Sequence, residues 1–155
     1  MSRRGPLVAA GLLLGAGLGG FFDGIVFHQL LQWHNMLSAR LPPDNLVDAK
    51  VNMFWDGVFH AAVWLMTLAG LVLLFRAGRR DDVVWDARVL TGGGLLGWGL
   101  FNLVEGLINH QWLGLHHVMD EAARPWVGDL LFLASGAVLA GTGGLLIRTS
   151  ARLKP

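Results

Sequence analysis

The 155-residue chain has no cysteine and no tyrosine, and only 15% of its residues are charged. Without thiols there are no disulfides, thiolate metal ligands, iron–sulfur clusters or cysteine nucleophiles, and without phenols there is no tyrosyl chemistry. A net charge of +1 offers no surface for nucleic acid. Several motifs are also missing: a Walker loop, a dinucleotide glycine fingerprint, a His-Glu-x-x-His helix and a Gly-x-Ser-x-Gly elbow. Proline is scarce, and none of its 5 residues interrupts a long apolar run. What remains is 54% hydrophobic, with 22 glycines set inside apolar stretches rather than in polar linkers. That composition belongs in a lipid bilayer.

Four segments, 6–27, 54–75, 89–109 and 126–147, are each 21 or 22 residues long, matching the roughly 20 that a helix needs to cross the hydrocarbon. They lack the apolar–polar alternation of a membrane β-barrel, and a backbone in lipid must pair its own polar groups. The expected fold is therefore all-α, an integral membrane four-helix bundle forming a single transmembrane domain. Arg3, Arg4, Arg76, Arg79, Arg80, Arg88, Arg148, Arg152 and Lys154 fall on one side of these spans, and only Arg40, Lys50 and Arg124 on the other. Nine against three places both termini in the cytoplasm. Trp33, Trp55, Trp112 and Trp126 gather near the opposite, outer boundary, as interfacial anchors do. Arg3-Arg4 before an apolar run also fits the opening of a signal peptide, but the run continues to Phe27 without a polar cleavage region.

One pattern recurs. Asp23-Gly24, His28-Gln29 and His34 return 82 residues later as Glu105-Gly106, His110-Gln111 and His116. A weaker match at offset 71 sets Trp55, Gly57 and Leu68-Ala69-Gly70 against Trp126, Gly128 and Leu139-Ala140-Gly141. Each half then supplies two helices, giving two parallel two-helix pseudo-repeats about an axis along the membrane normal. Gly11, Gly15 and Gly19, with Gly93 and Gly97, recur every fourth residue. Such stripes are read as helix-packing contacts.

Asp23, Asp56, Glu105 and Asp129 each lie about one turn inside a span, with no lysine or arginine in any span to neutralise them. A charge at that depth costs about 3 kcal/mol or more, so the acids hold protons, bind a cation, or are wet. His28, His110 and His60 lie nearby, and carboxylate with imidazole is the ligand set of zinc, iron, manganese or copper(II). Candidate metal ligands are Asp23, His28, Asp56, His60, Glu105 and His110, with Asn102, Asn109 and Asp129 orienting them. A continuous α-helix stands in the way: five residues from Asp23 to His28 turn it by about 140°. The rise of about 16 Å from Asp23 to His34 likewise forbids a shared ion. His34, His116 and His117 are accordingly expected at the interface or in solvent. A break after Gly24 and Gly106 would change this, but nothing in the sequence marks one. Met36, Met53 and Met119 are read as packing rather than copper(I) ligands.

The run from Phe22-Asp23-Gly24 through His28-Gln29 to Trp33-His34, with Trp55-Asp56-Gly57-Val58-Phe59-His60 and Asn102-Leu103-Val104-Glu105-Gly106, resembles Domain of Unknown Function 2243. The resemblance covers nearly the whole chain. It implies a four-span protein of the bacterial inner membrane and carries no catalytic residue with it. The expected function is binding of one or two divalent transition-metal ions near the outer face, for metal handling or for a metal-dependent membrane enzyme. The alternatives are a proton or small-solute transport subunit, and an accessory subunit of a larger membrane complex. Partners beyond the lipid bilayer would be a second copy or such a complex.

Overall fold

The computed structural model describes residues 3–152; Lys154, counted above among the charges, lies outside them. Four long helices dominate: α1 (Gly5–Phe22), α2 (Leu46–Gly78), α3 (Ala87–Glu105) and α4 (Pro125–Arg152). α1 and α3 do not end where their α-geometry ends. Each continues into a π-helical segment, π1 (Asp23–Leu30) and π2 (Gly106–Trp112). Gly5–Leu30, Leu46–Gly78 and Pro125–Ser150 are long and apolar enough to cross a membrane. The 19 residues of α3 fall short of that measure, because five glycines and Asn102 dilute its hydropathy.

Those glycines have a packing reason. The helices sit side by side in the order α2, α1, α3, α4, so α1 and α3 are covered on two flanks. A Cβ at Gly15 would overlap the Gly94 backbone, one at Gly97 the Leu12 backbone, and one at Gly99 the Ala140 backbone. Close backbone approach replaces side-chain interdigitation at these crossings. α2 begins eight residues before the expected 54, because Asn45 caps it by accepting from the Val47 and Asp48 amides. Asp86 caps α3 through the Arg88 amide.

Residues 3 and 4 meet the α2–α3 loop and the end of α4: Arg3 N–H donates to the Asp82 carbonyl, and Arg4 to that of Ser150. Leu7, Ala77, Val83 and Val89 form an apolar core beneath them. The opposite end, with the loops after π1 and π2, holds the histidines.

Candidate metal centre

In a π-helix the amide bonds to the carbonyl five residues back rather than four, so i and i+5 stand one above the other. Leu31 N–H donates to Val26 O, and Leu113 N–H to Ile108 O, both across five residues. This removes the angular obstacle that a continuous α-helix posed. His28 sits over Asp23, with Nε2 3.2 Å from Oδ2, and His110 over Glu105, with Nε2 3.8 Å from Oε1. Gly24 and Gly106 leave room for the neighbouring helices here: a Cβ would meet His60 Nε2 at 2.6 Å in one and Leu133 Cδ2 at 2.8 Å in the other.

The chain then turns back on itself. Gln32 takes φ 51° and Gly114, 82 residues on, φ 54°, both left-handed. The turn folds His34 and His116 into the interior. They were expected at the interface or in solvent, but only 3% and 0% of their surfaces are exposed. The expectation assumed a helix running on to them, and the π-segment with its reversal ends that helix first. A left-handed glutamine is strained by about 1 kcal/mol relative to glycine. Gln32→Gly is therefore expected to stabilise the protein by about that amount, and Gly114→Gln to weaken it similarly, in unfolding midpoints measured in detergent.

Two triads result. Asp23, His28 and His34 each offer a ligand atom within 4.8 Å of the others, and so do Glu105, His110 and His116. They adjoin through the rings of His34 and His116, stacked with centroids 4.4 Å apart, while His28 and His34 meet edge-on at 4.3 Å. His116 Nε2 lies 3.8 Å from Glu105 Oε1.

Hydrogen bonds leave the facing atoms unsatisfied. His28 Nδ1 donates to Asp56 Oδ1 at 2.9 Å and His34 Nδ1 to Val118 O at 2.9 Å. In a neutral ring Nε2 is then a lone pair, and the Nε2 of His28 faces the Asp23 carboxylate. Both oxygens of Asp23 and Glu105, and Nε2 of all four histidines, are buried without a hydrogen-bond partner. Burial, and next the nearby imidazoles, hold His34 and His116 below the ordinary histidine range, so both are neutral at pH 7. Each such orphan costs about 1–3 kcal/mol, more where charged. The wet alternative is gone, since the triad acids are no more than 4% exposed. Convergent lone pairs fit a cation, and two imidazoles with one carboxylate form the facial set of divalent metal sites.

Around the triads the same support occurs twice. Asp56 accepts from His28 Nδ1, Asn35 Nδ2 and Met36 N. Asp129 lies 3.4 Å from His110 Nδ1 and accepts from His117 Nδ1 and Val118 N. Phe59 stacks on His28 and Phe132 lies against His110. Asp56 and Asp129 are 73 residues apart, as are Phe59 and Phe132, against the 71 that separates the matched tryptophans and glycines.

Among the other sequence candidates, His60 stands outside both triads, its Nδ1 donating to the Asp56 carbonyl at 2.7 Å. Asn102 donates to Ser135 Oγ, and Asn109 lines a cavity with Glu105. Asn52 was not singled out as a site residue, yet it accepts from Leu37 N and donates to Leu41 O, pinning the loop that carries His34 and Asn35. A polar cavity of about 440 Å³ opens over His34, beside His117, Asp120 and Glu121.

No curated protein and no solved structure matches the chain. A family model described as predicted membrane protein matches residues 10–150. The fold of apolar helices and the match over most of the chain agree: the protein belongs to the family of predicted membrane proteins named Domain of Unknown Function 2243 (DUF2243).

Proposed function

We propose that this chain is a four-span protein of the bacterial inner membrane, with both termini in the cytoplasm, that holds two divalent transition-metal ions near its outer face, one per triad. The observation that carries this reading is the meeting of two imidazoles and one carboxylate, twice, with their facing atoms buried and unpartnered. The excess of lysine and arginine at the terminal end supports the orientation. Centrally placed α3 can span although glycine-rich, because α1 and α4 cover its flanks.

The halves act as a tandem repeat, each contributing an acid and a histidine on a π-segment, a second histidine from the loop, and an aspartate on the following helix. Asp56 and Asp129 orient the histidines and raise their basicity. The donor set of nitrogen and oxygen without sulfur suits iron, manganese, zinc or copper(II). Three protein ligands leave a coordination position open, which favours chemistry on a bound molecule over a purely structural ion. The polar cavity over His34 gives ions a route from the aqueous side.

Elemental analysis of protein purified in detergent without chelators tests the proposal. About two metal ions per chain are expected, one for each triad; a folded protein devoid of metal that also refuses added iron, manganese, zinc and copper would overturn it. Asp56→Asn and Asp129→Asn keep the shape but lose the charge behind the ligating imidazole. Each is expected to weaken metal binding by about 10–100-fold, read in a chelator competition titration.

A further inference from the structure

The two halves differ on the side facing the membrane. A cleft of about 460 Å³ runs between α1, α2 and α3 and ends at Glu105. Its counterpart, about 290 Å³, ends at Asp23. Two positions 82 residues apart account for the difference. Where the smaller cleft has the Trp98 indole, the larger has Ala16, and where the smaller has Phe27, the larger has Asn109. One cleft is therefore opened and given an amide beside its acid, while the other is narrowed by two aromatic rings and carries its polar groups, Asn102 and Ser135, on the α3–α4 side.

Apart from Glu105 and Asn109, every side chain lining the larger cleft is apolar, and Leu100, Val104 and Ile108 along it are exposed on the helix surface. Both Glu105 oxygens are buried and unpartnered at its polar end. A molecule fitting these walls is apolar along most of its length and carries a polar group at one terminus only. An oxygen there can accept from the Asn109 amide and reach the open position of the adjoining metal.

We infer that the cleft between α1, α2 and α3 is the binding site for a single-chain amphiphile drawn from the bilayer, its oxygen-bearing head placed between Asn109 and the Glu105 triad. The inference rests on the metal reading above and adds to it the class of ligand and the half of the molecule that takes it. Access is lateral, from lipid, while ions enter from the aqueous side.

The test uses protein loaded with cobalt(II) in phosphatidylcholine nanodiscs, with palmitate, hexadecanol and acetate as separate probes. A saturable change in the cobalt visible spectrum is expected with palmitate or hexadecanol, and none with acetate at equal concentration. In a parallel arm without reliance on the metal, stearate spin-labelled near the methyl end should show an immobilised component. Ala16→Trp and Asn109→Phe, each installing the residue found in the other half, are expected to abolish both signals, and Ala16→Trp, which lies away from the triads, to do so with cobalt content at the wild-type value. Unchanged signals in both variants, a response to acetate, or no response to either long-chain probe would overturn the inference and leave the metal centre standing. Failure to load cobalt, with no immobilised spin label, would remove both.

Discussion

Replacing His116 with alanine is expected to lower the metal content from about two ions per chain to about one, and Asp23→Ala, made separately, to do the same from the other triad. Combining the two should bring it close to zero. The arithmetic follows from the proposed division of ligands: each ion would have two imidazoles and one carboxylate from its own triad, and losing one would leave two donors, too few to outcompete water and buffer. His34 and His116 are stacked, so His116→Ala is also expected to weaken the remaining site modestly, because the rings hold each other in place. The rival to a metal is a set of protons, with imidazolium rings bonded to the acids. That arrangement pairs His28 with Asp23, Nε2 to Oδ2 at 3.2 Å, but leaves Glu105 3.8 Å from both His110 and His116, beyond hydrogen-bond distance. Under the proton reading, metal content is zero in the wild type and unmoved by either substitution, so elemental analysis of three proteins separates the two.

The features legible in the sequence are those that periodicity and charge express. Apolar runs announced the helices, and the spacing of acid, glycine and histidine at offset 82 singled out Asp23, His28, Glu105 and His110, which the structure brings together in pairs at 3.2 and 3.8 Å. The acid-to-histidine interval of five residues agrees with the i→i+5 register of the π-segments, but an interval alone does not distinguish a π-segment from an α-helix on which the two side chains diverge. On α-helical geometry the same interval looked like an obstacle. The error for His34 and His116 followed directly, because their depth was counted along helices that stop at Leu30 and Trp112. Gln32 gave no warning of a left-handed turn, although its counterpart Gly114 is a residue that favours one. The pairing of Asp56 with Asp129 was hidden for another reason. Asp56 lies 22 residues beyond His34 and Asp129 only 13 beyond His116, so the two aspartates are 73 apart, and neither the 82-residue spacing nor the match of tryptophans and glycines at 71 pairs them.

Gly15→Leu is expected to cost more than any single ligand substitution, because it acts on the frame that brings the triads together. A Cβ there would overlap the Gly94 backbone, and backbone cannot rotate aside as a side chain can. The remedy open to the molecule is to separate α1 from α3. Overpacking of this kind costs about 1–3 kcal/mol where neighbours can yield, and more where they are main chain. Separation would also pull Asp23, His28 and His34 away from Glu105, His110 and His116, since α1 carries the first group through π1 and α3 the second through π2. The variant should therefore lose monodispersity in detergent and bind little metal. Gly94→Ala is the matched control: a Cβ at Gly94 meets nothing within 4 Å, and alanine improves helix propensity by about 1 kcal/mol. It is expected to retain full metal content and equal or raised stability. Adjacent in space and alike in composition, the two glycines separate packing by shape from a general demand for small residues; equal tolerance at both positions would show that the α1–α3 crossing is not what holds the two triads side by side.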